Sequence, residues 1–193
     1  GNFGKNEKDD ITLLAGSFLP SFDNVTSVSA EVNNFICRMV TGSMETGRTL
    51  FTNGDLFISL IKRTAVFSSI NLPIGLREDG LERIVHVEFD RISPKERLRE
   101  GDIDAQFRRD HSEILGSLFD DVALVLREFT SASHVMEGHL PRMADFATVL
   151  CALDIAADPN VGRDGPHLNS YMSVLQKSME ERALDDPFTQ AVI

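Results

Sequence analysis

Phosphoryl transfer needs donors that cradle an anion, a carboxylate that holds a divalent metal, and cations that neutralise charge developing on the transferred group. The sequence has candidates for each. Residues 41–50, TGSMETGRTL, carry Gly42, Gly47, Arg48 and Thr49 in the order G-x-x-x-x-G-R-T. That order is one residue away from G-x-x-x-x-G-K-[ST], in which backbone amides and a lysine hold nucleotide phosphates. Asp23-Asn24 closes the apolar run TLLAGSFLPSF, and Asn71 closes a second run, AVFSSIN. Arg77 and Arg83 frame LREDGLER, and Arg142 lies in LPRMADFA.

The glycine run fails on context. A phosphate loop follows a buried strand and opens a helix, so that amides and helix dipole face the anion. Here the segment before Gly42 has helical periodicity, and Asn53-Gly54, a strong hairpin signal, follows Thr49. Arginine is also bulkier than lysine, and planar. The expected structure is a glycine helix stop leading into a hairpin.

The elements that must position these residues fall into two halves. Residues 12–22 predict a buried extended segment. Val28, Val32, Phe35, Ile36, Met39 and Val40 recur at spacings of three and four, which predicts a helix over 27–40. RTLF and DLFISLI predict hairpin strands about Thr52-Asn53-Gly54. AVFSSIN predicts a buried strand ending at Asn71, and RIVHVEF a further strand from Arg83 to Phe89. Beyond that the character changes. Ser93-Pro94-Lys95-Glu96 has a capping-box pattern. One long amphipathic helix is expected over 104–129, with Phe107, Ile114, Leu115, Leu118, Phe119, Val122 and Leu126 on one stripe. Two more helices are expected at about 142–156 and 167–183. The fold class read from this pattern is α/β followed by all-α, with domains at 1–92 and 93–193.

Composition narrows the class. The 193 residues carry 30 acidic and 19 basic side chains, a net charge of −11, which argues against broad non-specific nucleic-acid binding by this chain alone. Hydrophobic residues make up 42 %, enough for a core without staples. Cys37 and Cys151 lie in apolar helical contexts and read as buried free thiols. No apolar run reaches membrane-span length and no signal-peptide pattern opens the chain, so no membrane partner and a cytoplasmic location are expected. The five histidines lack metal-ligand spacing, and His86 reads as a packed strand residue. Glu180, Glu181, Asp185 and Asp186 read as a solvated face.

The order of Asp23-Asn24, Asn71, LREDGLER and LPRMADFA resembles the later portion of an AAA+ ATPase core, from the Walker B strand to the lid. More closely it resembles the helicase-type ATPases of phages and mobile elements that sit beside primase domains. The resemblance covers the chain from about residue 10 to its end. It implies an AAA+-like parallel sheet with helices and a hairpin, and a helical lid. It also implies ATP and Mg²⁺ as cofactors, with Asp23 the metal-holding Walker B residue, Asn71 the water-placing sensor 1 and Arg142 the sensor-2 arginine in contact with nucleotide. Arg77 or Arg83 would act on a neighbouring subunit's nucleotide in a ring-shaped homo-oligomer, with Arg83 fixed at a strand entry and projecting outward. In related helicases the hairpin faces the central pore and touches DNA; here only Lys62 and Arg63 lie near its base.

The sequence departs from that pattern in three places. No G-x-x-x-x-G-K-[ST] is present, so the chain reads as a fragment or a remnant, expected neither to bind ATP tightly nor to hydrolyse it alone. Asn24 stands where many AAA+ proteins have a catalytic glutamate. Pro20 falls inside an expected central strand. The bland readings stand beside these: Asp23 as a helix cap, Asn71 as a turn residue, and Arg77, Arg83 and Arg142 as surface charges. The rival function is a non-enzymatic assembly domain with a degenerate ATPase-like fold.

Overall fold

A computed structural model describes residues 14, 16–48 and 56–184. They divide between two compact units, Gly1–Ile84 with Glu181–Ile193, and Val85–Glu180. The described residues are mostly helical, and no helix among them is long and apolar enough to cross a membrane.

The first unit is built on a two-stranded parallel pair. Strand β1, Ser21–Phe22, pairs with β4, Val66–Phe67, with Ser21 opposite Val66 and Phe22 opposite Phe67. The rings of Phe22 and Phe67 stack with centroids 5.3 Å apart. Among the described residues of the run 12–22 only the last two are strand, and residues 12, 13 and 15 lie outside the described residues. Pro20 precedes β1 and contributes its carbonyl, which accepts from Val66 N at 2.9 Å, so its missing N–H costs no ladder bond.

Helix α1, Ala30–Thr41, crosses between the strands. Ser29, not Asp23, is its N-cap; the Ser29 hydroxyl accepts from Val32 N at 3.3 Å. Val32, Phe35, Ile36 and Met39 form its buried face and pack with Val28, Phe22, Leu76 and Leu81. Gly42 ends the helix at φ 91°, a left-handed conformation that glycine adopts without Cβ strain. The chain then forms β2, Ser43–Arg48, antiparallel to β3, Leu56–Ile61, with Ser43 opposite Ile61 and Arg48 opposite Leu56. The hairpin arm therefore begins at Ser43, five residues before the expected RTLF. The expected turn Thr52-Asn53-Gly54 and residue Thr49 lie outside the described residues. A short helix α2, Glu78–Leu81, follows β4.

The segment RIVHVEF is not a strand. Val85, Val87 and Phe89 alternate as a strand's apolar face would, yet all three are exposed. No described strand pairs with the segment, and without a ladder an alternating pattern does not become a strand. Its other side is tied by side chains to helix α5, Pro166–Leu184: His86 Nδ1 lies 3.0 Å from Ser178 Oγ, and Lys177 Nζ lies 2.8 Å from both Glu88 carboxylate oxygens. His86 is thus half-buried against a helix rather than packed in a sheet. Ser93-Pro94-Lys95-Glu96 forms one isolated turn, closed by Ser93 Oγ donating to Glu96 at 2.7 Å, and the next helix starts later.

That helix, α3, runs over Glu100–Met136, longer at both ends than its apolar stripe suggests. Helix α4 covers Ala144–Ala157. The core of this unit joins Ala132 and Met136 of α3, Cys151, Ala152 and Ile155 of α4, and Leu168 and Tyr171 of α5. Phe146 meets Tyr171 edge to face at 5.2 Å. Asp154, 2 % exposed, caps α5: its carboxylate accepts from His167 N and Leu168 N, each at 3.0 Å, and from His167 Nδ1 at 2.6 Å. Cys37 and Cys151 are both free thiols, Cys151 buried and Cys37 half-buried.

Candidate active site

The candidate site forms at the carboxyl ends of β1 and β4, where the parallel pair places the residues that follow each strand side by side. Asp23 follows β1 and Ser68 follows β4. The Ser68 hydroxyl donates to Asp23 Oδ1 and accepts from Asn24 N at 3.1 Å. The backbone continues the contact: Ser68 N donates to Phe22 O, and Val25 N to Ser68 O, both at 2.9 Å. Asn24 holds φ at 57°, a left-handed conformation that asparagine tolerates better than most residues and that recurs at functional turns. The Asp23 side chain is exposed.

The polar residue that meets Asp23 is therefore Ser68, not Asn71. Asn71 stands three residues further on, exposed, in a bend where its carbonyl accepts from the Ser69 hydroxyl. β4 ends at Phe67, four residues before the apolar run does, and this moves the strand-end position to Ser68.

The arginines of LREDGLER are placed by α1. Asn33, fully buried, accepts from Arg77 N at 3.0 Å and donates through Nδ2 to Asp79 Oδ1 at 2.9 Å. The Asn33 hydrogen bond, followed by the Arg77 charge, holds the Asp79 carboxyl below the usual carboxylate range. The Arg77 guanidinium donates to Asn34 Oδ1 and lies 3.5 Å from Asp79, with about half its side chain in solvent (48 %). Arg83 does not project outward from a strand entry. It is half-buried, donates to the Asp79 carbonyl, and reaches the Cys37 sulfur at 3.4 Å. Burial pushes the Cys37 thiol up, with Arg83 opposing and Asp79 adding to the shift. Arg142 belongs to the other unit, exposed just before α4.

Gly42–Arg48 has no phosphate-loop geometry. Its residues from Ser43 onward form a hairpin ladder with β3, so Gly47 and Arg48 lie within a strand. At Asp23 one carboxylate stands with the Ser68 hydroxyl, and among the described residues no cluster of three or more His, Cys, Asp or Glu side chains is placed to hold a metal ion.

A family model described as actinomycete integrative conjugative element replication protein matches residues 2–177. The chain belongs to this family. It is thereby a replication protein of a mobile element. No curated relative and no solved structure matches the chain. The matched residues include Asp23, Ser68 and Arg77 of the first unit and Arg142 of the second.

Proposed function

We propose that the chain is the Walker B-to-lid portion of an AAA+-like, ATP-driven replication protein that remodels nucleic acid for its mobile element. The observation that carries this reading is Asp23 at the carboxyl end of β1, beside β4 in a parallel pair joined through α1 and a hairpin. In open sheets of this kind, ligands bind outside the carboxyl ends of the strands. Membership of a replication family supplies the biological context.

In this mechanism Asp23 would hold Mg²⁺, its carboxylate oriented by Ser68, and the chemistry supplied there would be charge neutralisation on phosphate. Asn24 has no basic carbonyl oxygen able to take a proton fully, so it orients water rather than abstracting a proton. Asn71, exposed in the bend after β4, is the residue that the resemblance assigns to placing water. Arg77, half-exposed at the N-cap of α2, is the arginine that reaches a neighbouring subunit's nucleotide in a ring. Arg83 positions it indirectly by tying α2 at Asp79 to Cys37 of α1. Arg142, in the other unit, is the residue that the resemblance assigns to nucleotide contact.

Subunit mixing tests the assignment. In the native-length replication protein, Arg77→Ala and Asp23→Ala should each abolish ATP turnover. Mixing the two variants should restore part of it, because some interfaces then pair an intact Asp23 with an intact Arg77. Loss of turnover in both variants with no recovery on mixing would show that Arg77 acts within its own subunit or not at all.

A further inference from the structure

Backbone contacts fix the main chain leading to Arg77 against α1 and the turn before it. Val28 N donates to Ile74 O at 2.8 Å, and Ile74 N to Thr26 O at 3.0 Å. Gly75 holds φ at 86°, and a Cβ there would come within 2.2 Å of Val28 O, so glycine is what permits this approach. Arg77 N then donates to the buried Asn33 at 3.0 Å.

The guanidinium is held differently. About half of the Arg77 side chain is in solvent, where an arginine spreads over many rotamers. Asp79 does not direct it. Arg77 Nε lies 3.5 Å from Asp79 Oδ1, beyond the usual hydrogen-bond range, and that oxygen already accepts from Asn33 Nδ2 at 2.9 Å. Among the described residues the acceptor of the Arg77 guanidinium is Asn34, whose Oδ1 takes a hydrogen bond from Nη2. Asn33 and Asn34 are neighbours on α1, the first buried and the second exposed. The first therefore holds the arginine's main chain and the second its charged end. An amide at position 34 suits an arginine that must meet phosphate, because it orients the planar fork without neutralising its charge as a carboxylate would.

On the trans role proposed above for Arg77, on which this assignment rests, the geometry points to Asn34 as a positioning residue: it aims the Arg77 guanidinium at the neighbouring subunit's nucleotide. Although α1 follows Asp23 in the chain, Asn34 thereby belongs to the arginine's half of the interface.

Steady-state kinetics of ATP turnover by the native-length replication protein, wild type against Asn34→Ala, test this. Asn34 is exposed within a helix that alanine favours, so the melting temperature should not fall. The arginine remains but loses its aim. Turnover should drop about 10–10²-fold in kcat, less than the ~10³–10⁵-fold that loss of an arginine supplied in trans costs. KM for ATP should stay within about twofold, as it does when a contact made only in the transition state is removed. Mixing Asn34→Ala with Asp23→Ala subunits should restore part of the turnover, as mixing with Arg77→Ala does. If Arg77→Ala stops turnover while Asn34→Ala leaves kcat unchanged, raises KM alone, or shows no recovery on mixing, the role of Asn34 is overturned. If Arg77→Ala itself leaves turnover unchanged, the trans reading of Arg77 falls, and the role of Asn34 with it.

Discussion

The Ser68 hydroxyl donates a hydrogen bond to the Asp23 carboxylate across the parallel pair β1–β4. This contact fixes the direction of a carboxylate that is otherwise exposed, and it ties Asn24 into a left-handed turn at the same point.

Ser68→Ala should therefore act on metal use rather than on folding. A partner that orients a metal-holding carboxylate is typically worth about 10–100-fold in affinity or activity. The Mg²⁺ concentration needed for half-maximal ATP turnover should rise by that order, with the melting temperature nearly unchanged. An unaltered Mg²⁺ dependence would show that Ser68 does not serve the Asp23 site.

Asn33 is the buried joint between α1 and the LREDGLER turn. Asn33→Ala leaves Arg77 N–H without its side-chain acceptor and should cost about 1–3 kcal/mol, read as a lower urea midpoint at unchanged slope. Its partner Asp79 has a folded-state pKa lowered mainly by the Asn33 hydrogen bond. A lowered carboxyl pKa contributes stability above the ordinary carboxylate value, and that contribution is lost as pH falls through the folded value. The stability difference between wild type and Asp79→Ala should therefore be constant from pH 7 to about 5 and shrink below about 4. A difference that grows on acidification would contradict this geometry.

Asp154 terminates the exposed amides of α5 from inside the core. Asp154→Ala should cost about 2–3 kcal/mol through loss of the cap and of the hydrogen bonds to His167 and Leu168. Gly165→Ala should be comparably damaging, since a Cβ at Gly165 would come within 2.1 Å of Asp154 Cγ. Chemical denaturation of both variants checks this. A Gly165→Ala protein as stable as wild type would mean that the α4–α5 approach is not close.

Both thiols have raised pKa values, chiefly through burial, so little thiolate is present at neutral pH. Cys37 should react with a chromogenic disulfide more slowly than a small free thiol does, and Cys151 not at all until urea unfolds the helical unit. Rapid native reaction at Cys151 would show that this core is open.

Much of the helical content was legible because burial follows a 3.6-residue period. Val32, Phe35, Ile36 and Met39 define α1's buried face, and helices near 142–156 and 167–183 emerge at Ala144–Ala157 and Pro166–Leu184. Strands were read less well. AVFSSIN and RIVHVEF carry the residue types of strands, but a strand also needs a partner ladder, and only Val66–Phe67 finds one. For the same reason the sequence pointed to Asn71 rather than Ser68: the last residue of an apolar run is not the last residue of a strand. The signal for Ser68 was the change from Phe67 to Ser68-Ser69, where the apolar residues first give way. Arg83's inward position was hidden because its partners, Cys37 and the Asp79 carbonyl, depend on how α2 packs on α1. The glycine run was read correctly from context: its residues after Gly42 enter a hairpin.

The most direct measurement of the central claim is nucleic-acid-stimulated ATP turnover by the native-length replication protein, wild type against Asp23→Ala, normalised to folded protein. If Asp23 has the proposed metal-holding role, Asp23→Ala should lower turnover by about 10²-fold or more, while the exposed position of Asp23 leaves the melting temperature nearly unchanged. Equal turnover in the two proteins would contradict the account.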